Sequence, residues 1–278
     1  MIDEYRRNVL AIVEAIAPGW ERRRAFIEET TAPVREWLVG ALGPQPGETV
    51  LELAAGAGDV GFAAAARIGD GGRLISTDVS PAMLDVARRR GAALGLGNVD
   101  YRVMDAERIE LEDDSVDGIL CRFGYMLMPD PEAALVEARR VLRPGGRLAL
   151  AVWGPPERNP FFSLIGMVLV RHGHLPPLDP SQPGIFTLAD PNGLRALLEG
   201  AGFTDTRLAD VSVVFGVEGI DEYLAIIADT AGPLGLALRD VDDGERSTIV
   251  DELREALAEF ATPGGYDVPG VALAACTS

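Results

Sequence analysis

The segment Glu52-Leu53-Ala54-Ala55-Gly56-Ala57-Gly58-Asp59-Val60-Gly61 joins an apolar run to a helical pattern. Its small residues let a ligand approach the backbone, and its glycines permit a tight bend. The helix it opens starts with amides that no intrahelical carbonyl satisfies. Gly56, Gly58 and Gly61 also match the G-x-G-x-x-G spacing of dinucleotide-binding loops. A plain strand-to-helix turn of small residues would read the same way. Asp78 stands 20 residues beyond Gly58. Its two carboxylate oxygens suit the two vicinal hydroxyls of a ribose, with helix capping as the competing role. Asp105-Ala106 follows a third apolar run, where a carboxylate can accept a proton from the exocyclic amine of adenine. Arg122 and Tyr125 follow a fourth run, where a reacting group would meet its partner.

These stretches fall at the ends of predicted strands. The pattern predicts strands at 49–54, 73–77, 99–103, 116–122 and 147–153, alternating with helices at 61–68, 81–95 and 131–142. Ser80 before Pro81 reads as a helix N-cap followed by proline at the first helical position. Such alternation implies a parallel sheet with helices on both faces. Open parallel sheets bind ligands beyond the carboxyl ends of their strands. Two helical segments, broken at Pro18-Gly19, precede the first strand; the second spans about 20–42. Pro144-Gly145-Gly146 reads as a turn before the fifth strand. A proline-rich stretch then carries one helix at 161–172. A helix at 191–201, a strand at 206–215, helices over 220–260 and a final strand at 268–275 follow. The organisation is an N-terminal lid at 1–46 and a domain at 47–278 with insertions at about 154–189 and 218–262.

The stretch 47–153 resembles the class I S-adenosylmethionine-dependent methyltransferases, in the small-molecule branch that includes quinone-biosynthesis enzymes. Glu52, Ala54, Gly56 and Gly58 match the family's first motif, Asp78 its acidic residue after the second strand, and Asp105-Ala106 its adenine-side pair. Arg140 to Gly146 matches the turn before strand five. Ala54 stands where the motif has a glycine. The resemblance implies an α/β, Rossmann-like, seven-stranded and mostly parallel sheet, with an antiparallel last strand beside the sixth and helical lid insertions. It implies S-adenosyl-L-methionine as cofactor, held by Glu52, Ala54, Gly56, Gly58, Gly61, Asp78, Val79, Met83, Asp105, Ala106 and Arg122.

The reaction implied is methyl transfer to oxygen, carbon or nitrogen of a small acceptor. Orientation of the two reactants supplies much of such an acceleration, so no catalytic residue is named. Tyr5, Trp20, Tyr125 and His172 are the candidate acceptor contacts, against the alternative of plain packing; His174 is the only other histidine. The apolar insertions suggest a hydrophobic acceptor such as a polyketide or quinone. An NAD(P)-dependent oxidoreductase, a non-catalytic cofactor-binding protein, and other chemistry on the same cofactor stay open as alternatives.

Composition narrows the partners. There are 25 basic residues, all arginine, against 43 acidic ones, giving a formal charge of −18. Phosphate backbones are held by clustered cations, so nucleic acid is not expected. The triplets Arg22-Arg23-Arg24 and Arg88-Arg89-Arg90 would spread over different helix faces. No run approaches the ~20 apolar residues of a membrane span, and the acidic N-terminus lacks the basic start of a signal peptide. Cys121 and Cys276 form no metal or disulfide framework. A cytoplasmic protein without metal is expected, with a homodimer left open.

Overall fold

A computed structural model describes residues 2–177 and 182–278. Short β-branched and leucine-rich runs form the strands β1 (Thr49–Glu52), β2 (Arg73–Asp78), β3 (Val99–Val103), β4 (Val116–Arg122) and β5 (Leu142–Trp153). Strands β6 (Arg207–Val217), β7 (Ala261–Thr262) and β8 (Gly265–Thr277) complete one sheet in the order β3-β2-β1-β4-β5-β8-β6, with β7 paired on β8. The pairs among β1 to β5 are parallel. β8 runs antiparallel to both β5 and β6. This is the expected sheet, with β7 added. The strand order turns back at β1 and β4, the place where open sheets bind ligands.

The crossover helices are α4 (Asp59–Ile68), α5 (Pro81–Ala93), α6 (Pro131–Val141) and α8 (Pro191–Gly200). Their capping follows the sequence. Ser80, Asp130 and Asp190 each accept a backbone N–H in the first turn, with proline just inside. Three helices precede the sheet: α1 (Ile2–Arg22), α2 (Arg24–Thr30) and α3 (Ala32–Leu42). The 154–189 segment carries α7 (Pro160–Arg171), and the later segment carries α9 (Ile220–Thr230), α10 (Pro233–Asp240) and α11 (Asp243–Ala256).

Three local expectations are corrected. Pro18-Gly19 does not end α1, which runs through both residues. A Cβ on Gly19 would lie 2.1 Å from the Asp229 carbonyl oxygen, so the glycine is where α1 seats against α9. The second lid segment is two helices, because Pro33 at the start of α3 cannot sit inside a longer one. Pro144-Gly145-Gly146 is not a turn before β5 but a bulge within it. The pairing jumps from Val116↔Leu142 to Gly118↔Arg147, leaving residues 143–146 looped out, with Gly145 at φ +78°.

The core lies on both faces of the sheet. Val50, Leu51, Ile119, Leu120, Leu148 and Leu150 are fully buried in its centre. Four arginines of the triplets pair with acids from other elements, Arg22 and Arg23 with Asp229, Arg89 with Glu21 and Arg90 with Glu28, while Arg24 and Arg88 pair within their own helices. Among the described residues no helix is long and apolar enough to cross a membrane.

Candidate active site

The glycine loop sits at the carboxyl end of β1. Gly56 has φ +54° and nothing within 4 Å of where a Cβ would stand, so a ligand can reach the backbone there. Gly58, at φ +82°, is glycine for another reason: a side chain would strike the Phe62 ring at 2.5 Å. Ala54 holds φ +50° without being glycine, a conformation that strains a residue with a Cβ. Its methyl is accommodated by Gly124, whose own Cβ would lie 2.7 Å from it. Phe123, beside Gly124, is also left-handed, at φ +62°. The ends of β1 and β4 thus meet at Ala54, itself strained, and Gly124, next to the strained Phe123.

Asp78 ends β2 with its carboxylate pinned. One oxygen accepts from Gly56 N–H and the other from Ser80 N–H, both at 2.9 Å. Burial pushes its pKa up, opposed by those amides, and the neighbouring Glu14 carboxylate adds to the rise. Val79 is 37% exposed at the lip beside it. Asp105 follows β3, accepts from Glu107 N–H at 2.9 Å and keeps nearly half its side chain exposed. Ala106 is buried behind it. Gly56, Asp78, Val79 and Asp105 thus form a floor that runs beyond the carboxyl ends of β1, β2 and β3.

Other residues of the candidate set face elsewhere. Glu52 is buried; its carboxylate accepts from Gly61 N–H at 2.7 Å and Ser76 hydroxyl at 3.1 Å. Burial pushes its pKa up to about 7 despite those donors. Gly61 is glycine to clear that carboxylate, which a Cβ would meet at 2.1 Å. Both residues brace β1 against α4 from within. Met83 is buried against Ile16 and Ala17 of α1. Arg122 gives its guanidinium to Thr31 Oγ1 at 2.6 Å and Asp59 at 2.7 Å. Arg35 and Arg90 share that same Asp59 carboxylate, so three guanidinium groups gather at the start of α4.

The lid lies across this floor, and its polar contacts are spread along α1. The Tyr5 hydroxyl donates to the carbonyls of Leu127 and Pro183 at 3.4 and 3.5 Å. Arg6 pairs with Glu107 and approaches Asp105 to 3.9 Å. Glu14 accepts from the Ser80 hydroxyl and from Ala82 N–H. Trp20 Nε1–H donates to the Thr230 carbonyl of α9 at 3.1 Å, so Trp20 ties lid to cap. Glu14 and Glu107 were not among the sequence candidates. Glu107 directly follows Asp105-Ala106, whereas Glu14 lies outside the strand-end motifs and only the folded lid brings it to α5.

Beyond β4 and β5 stands an aromatic wall. Phe123 stacks on Trp153 with centroids 4.1 Å apart, and Phe162 tilts against the other side of Trp153 at 5.3 Å. Phe161 stacks on Phe215 at 4.1 Å, and Phe26 of α2 lies over that pair. Phe26, Phe123 and Phe162 are only half-buried. Tyr125 stands near, but its ring is wholly buried and its hydroxyl has no hydrogen-bond partner. His172 belongs elsewhere: it follows the last turn of α7, about 16 Å along the helix from Phe161. Among the described residues no group of three or more His, Cys, Asp or Glu could hold a metal ion.

The floor fits an adenosine-bearing sulfonium cofactor. An open glycine, a pinned carboxylate and an apolar lip suit the ribose and base, and the carboxylates suit a cationic ligand. A family profile described as "Methyltransferase domain" matches residues 50–146. The chain is 38% identical over 126 residues to an uncharacterised protein of Mycobacterium tuberculosis, covering 45% of this chain and 44% of that one. It is 31% identical over 183 residues to the ubiquinone/menaquinone biosynthesis C-methyltransferase UbiE of Teredinibacter turnerae, covering 62% of this chain and 74% of that one. A crystal structure of a SAM dependent methyltransferase from Aquifex aeolicus is similar in fold, with TM-score 0.50 and 25% identity over 64% of this chain and 83% of that one. The match therefore spans less than half the length of the mycobacterial relative.

Proposed function

Because the chain belongs to the class I S-adenosylmethionine-dependent methyltransferases, we propose that it methylates a small, flat, hydrophobic acceptor seated against the aromatic wall. The observation that carries the acceptor class is the Phe123–Trp153–Phe162 array beyond the ends of β4 and β5, in which Phe123 and Phe162 are half-buried about a buried Trp153. When bound, S-adenosylmethionine supplies a methyl group on a sulfonium sulfur. Gly56 and Asp78 would hold its ribose side, Val79 would cover the base, and Asp105 would accept a hydrogen bond from its amine. Arg35 and Arg122 are taken up by Asp59 and brace the start of α4. In the lid, α1 excludes water by lying along α5 and α9.

The work left to the protein is alignment and desolvation. Well-oriented reactants gain ~7–11 kcal/mol from proximity alone. The two histidines are engaged by glutamates at the far end of α7, so neither deprotonates the acceptor. The acceptor accordingly arrives with a nucleophilic oxygen, carbon or nitrogen of its own. The net charge of −18 supports a small molecule over nucleic acid as acceptor. We read the protein as cytoplasmic, and a homodimer is compatible with this reading.

Thermal denaturation with added ligand tests the cofactor. S-adenosylmethionine or its demethylated product is expected to raise the melting temperature, and NADH to leave it unchanged, since a ligand stabilises the state that binds it. Asp78→Ala should remove most of that rise, because a hydrogen bond to a charged group is worth ~1.5–3 kcal/mol, a ten- to hundredfold loss of affinity. A rise with NADH alone would sink the reading.

A further inference from the structure

The two histidines of the chain converge on one helix, and the cluster they form lies outside the active site. His172 stands at the end of α7, between two carboxylates of α11. Its Nδ1 lies 2.6 Å from Glu245 and its Nε2 3.1 Å from Glu252. His174 reaches the second oxygen of Glu245 through Nε2 at 2.9 Å. Gly173, at φ +79°, supplies the turn that brings both rings to one helix. Arg171 completes the set with a bond to Glu252 at 2.8 Å. An imidazole with an acceptor on each nitrogen can satisfy both only when both nitrogens carry hydrogen, which is the cationic form.

The position of this cluster gives it leverage. α7 begins with Phe161 and Phe162 of the aromatic wall and ends at the clasp. Phe161 also packs edge-on against Tyr223 of α9, whose hydroxyl donates to the Phe161 carbonyl at 2.8 Å. α9 in turn holds the lid through Thr230 and Asp229. A change in how α11 seats on α7 therefore bears on both the wall and the lid.

We propose that His172, held between Glu245 and Glu252, is a proton-operated clasp that fastens α11 to α7 and sets how firmly the helical cap closes. The charged groups facing it among the described residues are Glu245 and Glu252 from α11, with His174 and Arg171 on its own side. Glu245 and Glu252 hold the His172 pKa above its ordinary value, while His172 and His174 hold the Glu245 carboxyl, and His172 and Arg171 the Glu252 carboxyl, below the usual value. The sign follows from linkage. His172 contributes below its ordinary pKa, and the contribution is lost as pH rises through its raised value. The carboxylates contribute above their ordinary range and are lost as pH falls through their lowered values. The clasp is closed in mildly acidic solution and loosens as pH rises through the raised His172 value.

Amide hydrogen exchange, corrected for the intrinsic pH dependence of exchange, reads the clasp on the whole protein without acceptor or cofactor. The His172→Gln variant should exchange several-fold faster than wild type over residues 243–256 at pH 6. The difference should vanish by pH 9, where the wild type has itself loosened. Glu252→Gln, which leaves the Glu245 contact intact, should show a smaller pH-dependent difference. A difference in either variant that stays constant from pH 6 to pH 9 would make the cluster ordinary packing and overturn the proposal. Equal exchange in wild type and His172→Gln at pH 6 would overturn it too.

Discussion

Glu52 shows how a motif residue can carry the fold rather than the ligand. The sequence places an acid at the end of the first strand, where a cofactor contact is the natural expectation. The structure turns it inward, onto Gly61 N–H and Ser76. Its spacing to Gly61 is thus legible in the sequence, but not the direction in which its carboxylate points. Asp78 and Gly56 stand where their spacing puts them, at the end of β2 and in the loop after β1, although the Asp78 carboxylate is buried. The burial of Glu52 has a measurable consequence. Its pKa is pushed up to about 7, so the folded state binds a proton more tightly than the unfolded chain. Stability then falls as pH rises from the ordinary carboxyl range through 7, by on the order of 3 kcal/mol in total. Glu52→Gln keeps an acceptor for Gly61 and removes the titration. Its stability relative to wild type, measured by urea unfolding, should therefore increase from pH 5 to pH 8. A relative stability that does not change with pH would show that the carboxylate is not penalised by burial.

At the level of elements, periodicity and capping account for most of the helices and strands. Pro81, Pro131 and Pro191 each sit one residue inside a helix behind a side-chain cap, a local arrangement that needs no tertiary information. The failures share a cause. Pro18-Gly19 and Pro144-Gly145-Gly146 carry turn chemistry, yet long-range packing decides both. Gly19 is used for the close approach of α1 to α9, and the β5 glycines for a bulge against β4. Gly19→Ala separates the two roles by the sign of its effect. In a free helix the change stabilises by up to about 1 kcal/mol. Here the new methyl meets backbone at 2.1 Å, and overpacking of that kind costs ~1–3 kcal/mol. Urea unfolding should show a loss of stability; a gain would mean that α1 does not seat on α9.

Over the whole molecule, the sheet was legible because parallel strands leave continuous apolar runs, and the acceptor wall was not. Phe26, Phe123, Trp153, Phe161 and Phe215 come from well-separated parts of the chain, and no period in the sequence links them; only the strand order β4-β5-β8-β6 draws them together. The lid is a second property of the whole. Along its 21 residues α1 touches the ends of β3 and β4 through Arg6 and Tyr5, the start of α5 through Glu14, and α9 through Trp20. Two of these contacts border the proposed cofactor floor: Glu14 faces the Asp78 carboxylate, and Arg6 lies beside Asp105. The acids Glu14 and Asp78 face each other between lid and floor, and a cationic ligand there would be attracted by both. Binding should then tighten α1 as one unit, not only the residues at the floor. In hydrogen exchange at constant pH, saturating S-adenosylmethionine is expected to slow residues 5–22 and the facing end of α9 together, several-fold. Slowing confined to the glycine loop and β2, with α1 unchanged, would show that the lid closes without regard to the cofactor.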